Sequence, residues 1–241
     1  MPTDRVIRRV LKPLVFLAAL TPACYLVWAF FTERLSANPL SDITNNTGDW
    51  TLRFLCITLA VTPLRRLTGW NGAVRFRRML GLFAFAYGTL HFLIYIVFDR
   101  LAGIEFAGDL SWRFVRVLSA AVGDDIRKRP FITLGFAAFM LMVPLAATSR
   151  TGMIRRLGGR RWQLLHRLMY VSCIVAAAHY WWLVKADVRR PVAYAFVIVL
   201  LLMIRVYWAG RGGAGWFSTK SSNPFISATV RSGRSPSSSS G

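Results

Sequence analysis

Trp162-Gln163-Leu164-Leu165-His166-Arg167-Leu168-Met169-Tyr170-Val171-Ser172-Cys173-Ile174-Val175-Ala176-Ala177-Ala178-His179-Tyr180-Trp181-Trp182-Leu183-Val184 decides how this chain is read. These 23 residues hold no acid, one arginine and two histidines. At a rise of about 1.5 Å per residue they are long enough for a hydrocarbon core of roughly 30 Å. Two histidines in such a run need a reason, because an ionisable group in lipid is costly unless it is partnered.

Five further windows have the same character. They are residues 11–31 with Pro22 expected to kink the helix, 50–64, 79–98, 131–148 with Pro144 near its end, and 191–209. The second window is short and follows Thr47-Gly48-Asp49, a helix-start signal. The first is too long in its apolar part, and too poor in a small-residue cleavage site, for a signal peptide. Between the third and fourth windows, the stretch Leu110 to Val122 carries apolar residues at helical spacing and reads as an amphipathic helix on the membrane surface. The fold class is therefore all-α: a polytopic bundle of six spans over residues 1–210. A Gly/Ser/Arg-rich tail, 211–241, is expected to be disordered. No internal repeat is visible.

The chain has 31 Lys+Arg against 10 Asp+Glu, a formal charge of +21, on a sequence that is 55% hydrophobic. A soluble protein this basic would suggest nucleic acid; the apolar runs exclude that class. With the N-terminus placed inside, the inner loops hold 18 basic residues and one acid, and the outer loops hold 10 and nine. That asymmetry follows the positive-inside rule and predicts six spans with both termini cytoplasmic. Cys24, Cys56 and Cys173 all lie in apolar runs without CxxC spacing, so neither a disulfide framework nor a zinc site is expected.

All three histidines fall in spans: His91 in the third, His166 and His179 in the fifth. The third and fifth spans run the same way. His91 lies 12 residues past Met79, roughly 18 Å in, and shares the depth of His179 rather than that of His166. Two imidazoles at one depth on two parallel helices suit a b-type haem, with one axial nitrogen from each side. Zinc suits the pair less, since only two histidines share a level and no carboxylate is expected near them.

At the level of His166 the sequence offers Arg77, Arg78, Arg161 and Arg167. Three readings stand together there: a second haem on His166, an inner site where the arginines bind propionates, a flavin phosphate or a quinone oxygen, and an interfacial histidine among topology-setting charges. Positions 13 apart on a straight helix differ in direction by about 140°, which sets His166 and His179 on different faces. Arg53 is either a partner for a propionate of the outer haem or an interfacial anchor. Trp50, Trp112, Trp181 and Trp182 read as belt residues, and Tyr87, Phe92 and Tyr95 as packing around His91.

Several stretches together resemble the MsrQ family, also called YedZ, within the ferric-reductase-like transmembrane domains. They are Ala37-Asn38-Pro39, Thr47-Gly48, Thr58-Leu59-Ala60-Val61-Thr62-Pro63-Leu64, Arg77-Arg78-Met79-Leu80-Gly81-Leu82 and Leu90-His91. Arg129-Pro130-Phe131-Ile132-Thr133-Leu134-Gly135, Trp162 through Leu168 and His179-Tyr180 complete them. The resemblance spans residues 10 to 208.

It implies a membrane electron-transfer subunit carrying haem b and FMN. Electrons would come from the quinone pool or a cytosolic flavin reductase. They would go to a periplasmic molybdenum-containing partner, MsrP, that repairs methionine sulfoxide in oxidised proteins. The wider group carries two histidines on each of the third and fifth spans. Here Arg77 stands where the inner histidine of the third span would be, which leaves one bis-histidine pair, His91 with His179. No Gly-rich dinucleotide fingerprint is present, so the donor is expected to be a quinone or another protein. The alternatives are a transmembrane reductase that delivers electrons to external metal ions or oxygen, and a transporter. Spans without Asp or Glu argue against a transporter.

Overall fold

The computed structural model describes residues 4–101, 112–184 and 186–211, and the secondary structure in them is helical. A short turn, Asp4–Val6, and a π-helical stretch, Ile7–Leu11, lead into α1 (Lys12–Phe31). Then come α2 (Pro39–Thr68), α3 (Val74–Ile94) continued by a π-helical stretch Tyr95–Leu101, α4 (Trp112–Lys128) and α5 (Pro130–Ala147). The short α6 (Thr151–Leu157) and α7 (Gly159–Leu165) precede α8 (Leu168–Leu183) and α9 (Arg189–Arg211). Residues up to Ile204 form one compact unit, and Arg205 onward forms a second. The expected tail lies outside the described residues, apart from Arg211.

Among the described residues, four helices are long and apolar enough to cross a membrane: Ile7–Phe31, Asn71–Phe98, Pro130–Ala147 and Arg189–Gly210. They coincide with the first, third, fourth and sixth expected spans. The other two differ from expectation, each for a local reason.

The helix holding the second span starts at Pro39, not after Asp49. Asn38 caps it, its Oδ1 accepting the Ser41 N–H at 3.1 Å, and Pro39 occupies the first position, where its missing N–H costs nothing. The polar segment that follows stays helical because Thr44, Thr47 and Thr51 turn their hydroxyls back onto the carbonyls of Leu40, Ile43 and Thr47, at 2.8–2.9 Å. Thr47-Gly48-Asp49 is thus mid-helix, and Asp49 is a buried acid on a helix whose apolar part was read as acid-free.

The fifth span is broken. His166 caps α7 and α8 starts afresh at Leu168, leaving a 16-residue helix of roughly 24 Å. The 140° offset calculated for a straight helix does not carry across this break. The amphipathic segment forms α4, which runs six residues past Val122 to Lys128. Residues 102–111, including Leu110, lie outside the described residues.

Two helix pairs make the core: α2 against α3, and α5 against α8. Both use small residues, which let backbones approach where lipid offers no hydrophobic drive. On α3, Gly81 and Gly88 face α2, with the fully buried Ala84 between them; a Cβ on Gly88 would sit 3.5 Å from Thr51 Cγ2. On α8, Ser172 is fully buried and donates to the Ala138 carbonyl of α5 at 3.0 Å. Aromatic stacking ties the pairs together, with Phe85 and Phe92 of α3 at 5.6 and 5.1 Å from Phe139 of α5. Around this core the outer helices expose large apolar side chains, such as Phe31 at 78% and Phe196 at 65%, a surface suited to lipid.

Pro22 has a specific consequence inside α1. Its ring opens the preceding turn. The Tyr87 hydroxyl from α3 enters there, accepting the Ala23 N–H and donating to the Ala19 carbonyl, both at 3.0 Å. One buried phenol thereby bridges the i, i+4 pair that an unbroken helix joins directly, and pins α1 to α3. Tyr87→Phe is expected to cost about 1 kcal/mol, lowering the thermal midpoint in detergent by roughly 2–4 °C. An unchanged midpoint would show that the bridge carries nothing.

Candidate functional site

His91 on α3 and His179 on α8 come together with ring centroids 6.4 Å apart and ring planes at 75°. His91 Nδ1 lies 3.0 Å from the Thr44 carbonyl oxygen, and His179 Nδ1 lies 2.6 Å from that of Phe131. A carbonyl can only accept, so each Nδ1 carries the proton and each Nε2 keeps a free lone pair. Neither Nε2 has a hydrogen-bond partner among the described residues. Both rings face a cavity of about 330 Å³, lined mostly by apolar side chains that include Phe92, Phe136, Phe139 and Ala176.

The same device places both rings. Each histidine bonds a carbonyl on the other helix of its own pair, and the residue four positions after that carbonyl is a glycine: Thr44 then Gly48, Phe131 then Gly135. In a helix, the side chain of residue i+4 leans back over the carbonyl of residue i. Glycine uncovers that oxygen, whose second lone pair can then accept the imidazole. The fit is close: a Cβ on Gly48 would lie 3.2 Å from His91 Cε1, and one on Gly135 only 2.9 Å from His179 Cε1 and Nδ1.

The arrangement fits one metal ion between two nitrogens. A metal–imidazole bond is about 2.0–2.1 Å. Each ring nitrogen is about 1.1 Å from its ring centre, from ring bonds near 1.35 Å. Two rings ligating from opposite sides would then have centroids roughly 6.3 Å apart, against the 6.4 Å found. Among the described residues no group of three or more His, Cys, Asp and Glu side chains forms.

Contrary to expectation, a carboxylate does line this cavity. Asp49 is 8% exposed and follows Gly48 directly. It is engaged by Arg190 at 3.4 Å, Arg53 at 3.7 Å and the Tyr180 hydroxyl. Arg53 itself donates to the Tyr194 hydroxyl at 3.1 Å and lies over the Trp50 ring. A second buried acid, Asp125 of α4, binds the Tyr95 hydroxyl and Arg129 near the same cavity. Tyr87 turns away to α1, whereas Phe92 and Tyr95 line the cavity. Trp181 and Trp182 are exposed, Trp50 is half-buried, and the Trp112 side chain lies outside the described residues.

His166 stands apart from this pair. Its ring stacks on Trp162 at 3.9 Å, and its Nδ1 bonds the Trp162 carbonyl at 3.1 Å. The charge of Arg77 reaches it. Arg161 and Arg167 are exposed, and Arg78 lines a different cavity with Lys12 and Arg75.

Comparison with known proteins places the chain in a family. The family described as "Ferric reductase like transmembrane component" matches residues 47–177. A "Protein-methionine-sulfoxide reductase heme-binding subunit MsrQ" from Ralstonia nicotianae is 52% identical over 206 residues, covering 85% of this chain and 88% of that protein. Proteins of the same name from Herminiimonas arsenicoxydans and Azospira oryzae are 48% and 43% identical, over 83% and 95% of this chain and 85% and 91% of theirs. The chain belongs to the MsrQ family.

Sequence reasoning about this MsrQ family member missed the two glycines and the two carbonyls. The available signal was a glycine in mid-helix, four residues after the carbonyl, in a segment facing a histidine-bearing span. The glycines are expected to be intolerant. Gly135→Ala should destabilise the fold by about 1–3 kcal/mol, because the His179 ring must leave its carbonyl. Gly81→Ala, whose Cβ would make an ordinary 3.8 Å contact with Thr58 Cγ2, should be neutral. Equal thermal melts for the two variants would contradict this account.

Proposed function

We propose that this chain is the haem-binding electron-transfer subunit of a protein-methionine-sulfoxide reductase, with His91 and His179 as the axial pair of a haem b. The observation that carries the reading is the pair of imidazoles, 6.4 Å between centroids, each with Nδ1 committed to a carbonyl. The printed names of the relatives, which are heme-binding subunits, support it. When bound, the haem supplies reversible one-electron exchange. The chain's own groups do the rest. The carbonyls of Thr44 and Phe131 hold tautomer and ring orientation, as outer-sphere partners of metal-bound histidines do. Gly48 and Gly135 give the rings room, and the phenylalanines of the cavity keep water from the metal.

The direction of transfer, from cytoplasm to periplasm, is the one the family resemblance implies, and the loop charges support the topology along which it would run. On this reading six segments cross the inner membrane, both termini are cytoplasmic, residues 1–210 form the transmembrane domain, and 211–241 are a tail. Electrons come from the quinone pool or a cytosolic flavin reductase, pass an inner station at His166 with Arg77, Arg161 and Arg167, and leave through the His91–His179 haem to periplasmic MsrP. The inner station holds a second haem or the FMN. Sulfoxide chemistry takes place on MsrP.

Purified protein is expected to show a bis-histidine haem spectrum, and a pyridine haemochrome assay should find haem. His91→Ala and His179→Ala should each abolish the pair's signal, while His166→Ala leaves it in place. A colourless, monodisperse wild-type protein would sink the proposal, and faster reoxidation by ferric chelates than by MsrP would favour a metal reductase instead. For topology, reporter fusions after Thr68 and Arg150 should be active only with a cytoplasmic reporter, and fusions after Ser36 and Val184 only with a periplasmic one.

A further inference from the structure

Asp49 is the one acid among the described residues that line the histidine cavity, and it is buried there. A buried ion pair is a weak source of stability, since well-packed apolar groups of the same volume often serve as well or better. The position of this carboxylate gives it another use. It follows Gly48, the glycine beside the His91 ring, directly in sequence. It accepts from the hydroxyl of Tyr180, which follows His179 directly. One hydrogen bond thus joins the residue next to the seat of one ring to the residue next to the other ring.

The two rings belong to different helix pairs. His91 is held between α3 and α2, and His179 between α8 and α5. Their separation therefore depends on how one pair sits against the other. On one side the pairs meet through Phe85 and Phe92 of α3 and Phe139 of α5. On the other side α2 meets α8, and the Asp49–Tyr180 bond lies there. Ring contacts tolerate sliding, whereas a hydrogen bond to a carboxylate is directional and strong. Arg190 of α9 and Arg53 of α2 hold the acceptor, at 3.4 and 3.7 Å from Asp49 Oδ2. Tyr194 of α9 accepts from Arg53, and its ring lies 6.0 Å from that of Tyr180, so the donor is braced as well.

The carboxylate is also a fixed charge in a mostly apolar wall, where charge acts more strongly than in water. Uptake of an electron in the cavity adds one negative charge there, and a carboxylate on the wall opposes it. We propose that Asp49 is a positioning residue of the axial pair: it ties α2 to α8 beside the two rings, and its charge holds down the midpoint potential of the bound haem. This role rests on the haem reading of His91 and His179.

Redox titration of the full-length protein with its haem, together with EPR of the oxidised form, provides the test. Asp49→Asn keeps an oxygen for the Tyr180 hydroxyl but removes the charge. At the wild-type midpoint its ratio of reduced to oxidised haem should rise at least about threefold, a shift of roughly 28 mV at about 59 mV per tenfold change. Tyr180→Phe keeps the charge and removes the tie. Its EPR signal, which follows the mutual orientation of the two imidazoles, should differ from that of the wild type. Asp124→Asn removes the same charge from an exposed acid of α4, paired with Lys128, and should change neither readout. The wild-type potential in Asp49→Asn overturns the proposal, as does a wild-type EPR signal in Tyr180→Phe or an equal potential shift in Asp124→Asn. Should Asp49→Asn not purify, the EPR signal of Tyr180→Phe decides alone. A wild-type protein that holds no haem overturns the haem reading and this role together, whereas haem-loaded variants indistinguishable from wild type overturn the role alone.

Discussion

Each imidazole of the central pair gives its one proton to a main-chain carbonyl, and the site depends on that bond. A helix carbonyl already accepts from the N–H four residues on. A ring as bulky as imidazole reaches it here because the side chain that would stand above it is absent. Gly48 and Gly135 meet that condition, and in doing so they fix which face of α2 meets α3 and which face of α5 meets α8. A rotation of either helix by one residue, about 100°, would put a different carbonyl under the ring and a Cβ against it. The two tight helix pairs and the two oriented rings are one constraint.

The device occurs twice, on pairs that show no repeat in sequence. The helix that accepts the bond comes first in each pair, α2 before α3 and α5 before α8, and the histidine lies on the second. What is repeated is a geometric relation, a carbonyl at i, a glycine at i+4 and an imidazole on the neighbouring helix, and the residue at i can be threonine or phenylalanine because only its backbone is used. The small residues on α3 and α8 serve the same relation by bringing the helices close enough for a ring nitrogen to reach a carbonyl at 2.6–3.0 Å.

That explains what could be read from the chain and what could not. Histidines in apolar runs are costly without a purpose, so their pairing by depth was legible from spacing and rise alone. The spans at residues 79–98 and 131–148 were legible from composition. The polar turns from Ser41 to Asp49 were not, because their helicity rests on an Asn38 cap and on threonine back-bonds, neither of which shows as an apolar period. The break before Leu168 was hidden for the opposite reason. Composition stays apolar through it, and only the ring of His166, folded back on the Trp162 carbonyl and stacked on the indole, marks the end of α7. Arg78 was grouped with Arg77 because both lie at the level of His166, but neighbours on a helix point about 100° apart and so serve different surfaces.

The +21 charge divides along the same lines. Near the histidine cavity the buried acids are few and each is engaged: Asp49 by two arginines and a tyrosine, Asp125 by Arg129 and Tyr95. These groups fasten α2 to α9 and the surface helix α4 to the start of α5, holding the rim of the site in place. The rim of the site is therefore closed by pairs within the chain.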